Sequence, residues 1–417
     1  MRQFARSWVW PLLFGLLVYL AIDSNTPFAH ENHGRQVAGY VLVGAATLLS
    51  IAAFTGRRFE NAQPILAWTI ALFLSIAAST WGAPDFRWSI ERLYLYYAVV
   101  LFGVGLYLTH RGDSGRTVAH YFAVVPAVHM IFLVEALFYL VWIQSEPGAV
   151  FRRLPHFANI RHFAYHGFIA AACASSLFTM SRKLESTAFV LTAAALFGIV
   201  LLGARGALLA WIVFAAFVLV FHHRRLRFLA FCALALAVAA GAVHYLTEAG
   251  LLQGVTSLFR RFETEEGGGF RIGDRIMLWA DTLRTIAERP WLGFGPEGFL
   301  GSRCCNSRVA QPHNFVLQFV LEFGLIGSGL MIFTAWAMVR ACGGLALIRA
   351  NLSSDSGLLS LCAVLFGFMT YAMIDGLLYH AIPLTHFALF AALLFATMVR
   401  LAAGQAAVGV RLINRDR

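Results

Sequence analysis

The chain has 417 residues, of which 59% are hydrophobic and 13% charged, with a mean hydropathy of +0.71. A soluble domain carries roughly twice that charged fraction, about 25%, so a water-soluble globular fold is excluded. The net charge of +11 is no sign of nucleic-acid binding, because the basic loops of a membrane protein first report its orientation.

Apolar stretches recur near 8–22, 37–54, 64–80, 92–109, 121–143, 163–180, 187–203, 206–221, 228–246, 314–339, 357–379 and 384–402. Each is long enough to cross a hydrocarbon core as a helix, which takes roughly 20 apolar residues. Only helices and closed barrels satisfy their own backbone in lipid, and these runs are too long and too continuous for barrel strands. The expected fold is all-α and integral to the membrane, with about 12 transmembrane helices, forming a single polytopic domain over 1–417. The first run, Trp8 to Ile22, is followed by no small-x-small cleavage site, so it reads as a retained helix and not as a signal peptide.

Short connections on one side carry Arg57 and Arg58, Arg111 and Arg116, Arg182 and Lys183, then Arg224, Arg225 and Arg227. The terminal segments add Arg2, Arg6, Arg411, Arg415 and Arg417. Short basic connections face the cytoplasm, which places both termini there and every other connection outside. The longest outer connection, 247–312, holds eight Arg and eight Asp or Glu and is therefore charge-balanced. Gly267-Gly268-Gly269 marks a hinge. Asp274 can then cap a helix that runs to Arg289 and is ended by Pro290. Leu278, Trp279, Leu283 and Ile286 are spaced to lie on protein or on the membrane interface. A loop of this length with its own helix is a functional segment before it is a connector. No internal repeat is evident, which argues against an inverted-repeat transporter.

Four positions can carry chemistry. Arg205, in Gly203-Ala204-Arg205-Gly206, stands alone between two apolar runs at the outer tip of a tight hairpin. Such an arginine points to an anionic partner, or it snorkels to headgroups. Arg275 and Trp279 precede Pro290-Trp291-Leu292-Gly293-Phe294-Gly295-Pro296, where Gly293 and Gly295 permit a tight turn and a close backbone approach. Arg271, Arg284 and Arg289 are near enough to exchange roles with Arg275. His313, in Gln311-Pro312-His313-Asn314, is followed after nine residues by Gly324-Leu325-Ile326-Gly327. By position alone it could be no more than a helix cap. Asp375 lies in an apolar run near the outer end of its span, at a depth it can share with His313, where a carboxylate would fix the imidazole tautomer. It could instead pair with Arg205 or cap a helix. Glu135 and Glu322 are also intramembrane, and His380 is the imidazole nearest to Asp375 in sequence. Arg152, Arg153, His156, Arg161 and His162 could bind phosphate or anionic lipid. Cys304 and Cys305 are neighbours, for which a disulfide is strained, and no cysteine pair has metal-ligand spacing. A phosphate-binding Gly-rich Lys loop and an Asp-x-Asp pair are both missing from the sequence.

The His313-Asn314 pair followed by Gly324 and Gly327 resembles the signature of the O-antigen ligases, matching all four of its defined positions. Gly-Ala-Arg-Gly at 203–206, with Leu209, is similar to the family's Ser-Arg-Gly segment, although Ala204 replaces the Ser. Arg275, Trp279 and Gly293-x-Gly295 similarly follow the family's long-loop pattern, and members carry an Asp in the late span that holds Asp375. The resemblance implies an all-helical membrane glycosyltransferase (GT-C-like) of the bacterial inner membrane with a periplasmic active site. The implied donor is a polysaccharide on undecaprenyl pyrophosphate, and the implied acceptor is a hydroxyl of the lipid A–core. His313 would be the general base and Asp375 its orienting partner. Arg205 and Arg275, with Arg271 and Arg284 as alternates, would hold the pyrophosphate in place of a metal. Asn314, Gly324, Gly327, Trp279, Gly293 and Gly295 would support them. No cofactor is needed, because the donor is already activated. O-antigen polymerases and O-linked oligosaccharyltransferases share the superfamily, and Arg284 with Gly295 fits an Arg-x10-Gly spacing associated with polymerases. The His-Asn…Gly-x-x-Gly form and the short tail after Leu401 favour the ligase. A transporter or lipid-carrier flippase is the competing class.

Overall fold

A computed structural model describes residues 2–23, 63–111, 115–144, 154, 160–251, 272–302 and 311–413. The expected span at 37–54 lies outside these residues, as do Arg152, Arg153, His156, Gly267–Gly269, Arg271, Cys304 and Cys305. Every regular element among the described residues is helical. In chain order they are α1 (Arg2–Asp23), α2 (Gln63–Trp81), α3 (Phe86–His110), α4 (Arg116–Gln144), α5 (Ile160–Met180), α6 (Glu185–Leu201), α7 (Arg205–Phe221), α8 (Arg225–Glu248), α9 (Ile272–Glu288), the single turn α10 (Gly298–Gly301), α11 (Phe315–Ala341), α12 (Gly344–Asn351), α13 (Ser356–Ile374) and α14 (Ala381–Ile413).

Eight of these helices are long and apolar enough to cross a membrane, and three shorter apolar helices join them at Trp8–Tyr19, Thr69–Trp81 and Arg205–Phe221. They fall on the expected spans other than 37–54. The chain is a multi-pass membrane protein.

Three boundaries differ from the sequence reading. The penultimate span stops at Ile374, and a 3-10 turn at Leu377–Tyr379 replaces its expected last turn. Asp375 sits just past this end and takes the Gly376 N–H onto its own carboxylate at 2.8 Å, which competes with helix continuation. The outer-loop helix begins at Ile272, so Asp274 lies within it and not before it. The short α12 follows Gly343 and starts at Gly344, whose φ values of 115° and 73° turn the chain where hydropathy shows only a gap between spans.

The described helices form two compact units. The first contains α1, α4–α8 and α13 up to Tyr371. In it, α5 is almost wholly buried and packs on α4, α6 and α7. Its small residues Ala170, Ala171, Ala172, Cys173 and Ala174 let neighbouring backbones approach closely. Hydroxyls tie it to its neighbours: Ser175 to Thr192 at 3.3 Å, Thr179 to Ser360 at 2.9 Å, and Trp211 Nε1 donating to Ser175 at 3.2 Å.

The second unit contains α2, α3, α9–α11, α12 up to Ala350, the turn after Tyr371 and α14. Here α14 lies along α3, and α2 lies along α11. The amphipathic α9 packs on α11. Its Leu278 and Ile286 join Phe294, Phe299 and Leu321 in one cluster, while Ile276, Met277 and Leu283 stay exposed.

Candidate active site

The second unit brings the His313 and Asp375 side chains together. Nδ1 of His313 lies 2.8 Å from Oδ1 of Asp375, and the two residues are 6% and 8% exposed. With a proton on Nδ1 donated to the carboxylate, Nε2 is the lone-pair nitrogen of the ring. His313 holds this position at a φ of 54°, a left-handed conformation that costs a non-glycine residue about 1–3 kcal/mol. Its neighbours over-determine it. The Asn314 side chain caps α11, accepting from the N–H groups of Val316 at 3.0 Å and Leu317 at 3.1 Å. The same amide donates to the Met373 carbonyl at 3.1 Å. Asn314 therefore links the start of α11 to the end of α13, two residues before Asp375.

Helix α9 grips both sides of the pair. Trp279 Nε1 donates to the Pro312 carbonyl at 2.9 Å, beside His313. One turn earlier, Arg275 Nη1 donates to the Ile374 carbonyl, beside Asp375. Residues four apart share one face of a helix, so one side of α9 addresses both halves of the dyad. Arg275 is half-buried, and a guanidinium carries five N–H donors.

The glycines of the two motifs meet at a break in α11. Gly324 has φ 64° and ψ −174°, a region open in practice only to glycine. In an unbroken helix, Leu325 and Ile326 would donate to the carbonyls of Leu321 and Glu322. They donate instead to Pro290 at 2.8 Å and Trp291 at 3.2 Å. The freed carbonyls accept from Phe294 and Gly295, each at 2.8 Å. The 290–295 loop thus replaces one turn of helical hydrogen bonding. A Cβ on Gly293 would stand 2.6 Å from the Gly324 nitrogen, and one on Gly324 would overlap the Trp291 carbonyl. A Cβ on Gly295 would stand 2.8 Å from the Ala83 Cβ and 2.9 Å from the Ser79 carbonyl. A Cβ on Gly327 would stand 2.7 Å from the Phe323 Cβ and 3.3 Å from the Ser75 hydroxyl, so the glycine allows α2 to lie against α11.

Of a buried polar cluster beside these segments, the sequence had pointed only to Glu322. Arg92, 5% exposed in α3, places Nε 3.7 Å from Glu297 Oε1 and donates through Nη2 to the Tyr379 carbonyl. The Tyr379 hydroxyl donates to Glu297 Oε2 at 2.7 Å. Glu322 accepts from Tyr96 and from Gln318, both at 3.1 Å. Arg92 stands at the edge of the expected span 92–109, next to Glu91 and near Arg87, so its sequence position set it apart from neither.

The remaining candidates fall elsewhere. Arg205 is the first residue of α7 in the first unit, exposed, after a tight turn in which Gly203 has φ 60°. Arg284 is exposed on α9 and bonds Asp281 at 2.9 Å on its own helix. Glu135 accepts from Tyr19 at 3.4 Å in the first unit. His380 ends the 3-10 turn, with Nε2 3.4 Å from Gln311 Nε2.

Residues 187–332 match the family model described as "O-Antigen ligase". Over this stretch the chain is similar to the O-antigen ligase family. That segment contains Arg205, Arg275, Trp279, His313 and the glycines at the helix break, whereas Asp375 lies beyond it. The chain is also similar to an O-antigen ligase of Pseudomonas aeruginosa strain PAO1, with 34% identity over 99 residues. This alignment covers 24% of the chain and 21% of that relative, so the chain spans about a fifth of the relative's length.

Proposed function

We propose that the protein is an O-antigen ligase, which transfers a polysaccharide from undecaprenyl pyrophosphate to a hydroxyl of the lipid A–core. The observation that carries this reading is the His313–Asp375 pair, 2.8 Å apart, flanked by Arg275. It lies at the end of a long loop within, or next to, the O-antigen ligase segment.

In this reading Nε2 of His313 takes the proton of the acceptor hydroxyl, and Asp375 stabilises the imidazolium that forms. The acceptor oxygen attacks the anomeric carbon from the face opposite the pyrophosphate. The carbon–oxygen bond to the pyrophosphate breaks, its electron pair leaves with the phosphate, and the configuration inverts. The planar fork of Arg275 matches two phosphate oxygens and offsets the charge that develops on them. For Arg205 the same role rests on its sequence motif. Arg271 is a further candidate, and Arg284 ranks behind because of its bond to Asp281. No cofactor enters this scheme. Short basic connections support a bacterial inner-membrane protein with both termini cytoplasmic and the site at the periplasmic surface, where lipid-anchored donor and acceptor can meet.

The test is the glycan profile of a deletion strain. A ligase defect leaves long lipid-linked polysaccharide and a bare lipid A–core. A core bearing a single repeat unit would identify a polymerase instead, and loss of sugar-lipid translocation in vesicles would identify a flippase.

A further inference from the structure

The scheme above gives Arg92, Glu297 and Tyr379 no role. A buried ion pair is weak evidence for stability, because desolvation offsets much of the attraction, so its position in the fold matters more than its existence. This one joins two irregular segments. Glu297 closes the loop of Gly293 and Gly295 and has a left-handed φ of 60°. Tyr379 closes the 3-10 turn that starts just after Asp375. Arg92 reaches both: it pairs with the Glu297 carboxylate, donates to the Tyr379 carbonyl, and lies over the Tyr379 ring at 4.4 Å and the Tyr96 ring at 5.0 Å. The Tyr379 hydroxyl closes the triangle on Glu297.

The path from Tyr379 back to Asp375 is short and hydrogen-bonded. The Tyr379 N–H donates to the Gly376 carbonyl at 3.0 Å, and the Gly376 N–H donates to Asp375 Oδ1 at 2.8 Å. That same oxygen faces His313 Nδ1. Gly376 packs so closely on the Gln311 amide that a Cβ would overlap it, which leaves the turn little freedom.

We propose that Arg92, Glu297 and Tyr379 form a clamp that sets the Asp375 carboxylate against His313, making them positioning residues for glycan transfer. The clamp rests on the function proposed above, since it acts through the His313–Asp375 pair. The Tyr379 hydroxyl is the part to remove, because its loss deletes a single oxygen from the core.

The experiment measures kcat and KM for the purified full-length protein with a lipid-linked polysaccharide donor and a lipid A–core acceptor. Four proteins are compared: wild type, Tyr379→Phe, Asp375→Asn and the double variant. In Tyr379→Phe, kcat falls about tenfold while both KM values stay within about twofold, and in the Asp375→Asn background the same change lowers kcat by less than about twofold. Arg92→Lys, whose point charge cannot serve both acceptors, behaves in the same non-additive way. An unchanged kcat in Tyr379→Phe overturns the clamp. So does an equal fall in both backgrounds, which is what a general loosening of the fold would produce. Wild-type protein that transfers no glycan overturns the proposed function itself, whereas Asp375→Asn with full activity leaves that function standing and overturns the clamp, which acts through Asp375.

Discussion

His313 and Asp375, 62 residues apart in sequence, meet through Nδ1 and Oδ1 at 2.8 Å while His313 is held at a φ of 54°. A strained backbone beneath a paired imidazole is the arrangement expected where geometry is maintained for chemistry and not for stability.

For this pair, His313→Ala should lower kcat between roughly 10²- and 10⁴-fold, the usual contribution of a general base. The purified variant should still elute as the wild type does. Asp375→Asn should lower kcat at least ~10-fold, because the amide can donate to Nδ1 and so hold the ring in the wrong tautomer. Near-normal transfer by His313→Ala would remove it as the base.

The helix break predicts an asymmetry between two glycines of α11. Gly324→Ala places a Cβ on the Trp291 carbonyl at a glycine-only backbone conformation, so it should destabilise by at least ~2 kcal/mol. Gly329, in the same helix, has open space around it, so Gly329→Ala should be neutral or stabilising by up to about 1 kcal/mol. Thermal unfolding in detergent reads both changes. Equal effects would mean that the break is dispensable.

Among the arginines of α9, the geometry ranks Arg275 above Arg284. Arg275→Lys keeps the charge but loses the rigid fork that reaches the Ile374 carbonyl and, in the proposed scheme, a phosphate, so kcat/KM should fall at least ~10-fold. Arg284→Lys should change it by less than about twofold, because an exposed pair contributes little and Asp281 occupies it. Arg205→Lys should be as damaging as Arg275→Lys. Full activity in Arg205→Lys would show that charge alone suffices there.

Transfer should survive EDTA. A guanidinium neutralises a leaving pyrophosphate without a metal, and the sequence carries no Asp-x-Asp pair. Loss of activity on chelation with recovery on adding magnesium or manganese would overturn the arginine-only scheme.

Hydropathy located the helices because crossing lipid is a local requirement. Each segment must satisfy its own backbone and be apolar over its own length, and both conditions are written in consecutive residues. The same locality made Asp375, Gly293 and Gly295 stand out, whereas His313, Gly324 and Gly327 were marked by the spacing they share with the O-antigen ligase signature. Which candidates act together was not local. Arg275 and Ile374 are 99 residues apart, and Arg92 and Tyr379 are 287 apart. Arg92, at the edge of the expected span 92–109, was not among the sequence candidates. Arg284 looked equivalent to Arg275 until the register of α9 turned one toward Asp281 and the other toward the dyad. The exchange of hydrogen bonds between the 290–295 loop and the broken α11 was also out of reach of the sequence, because a glycine only permits a break. The carbonyls of Leu321 and Glu322 had to find new donors, and packing alone brought Phe294 and Gly295 to them.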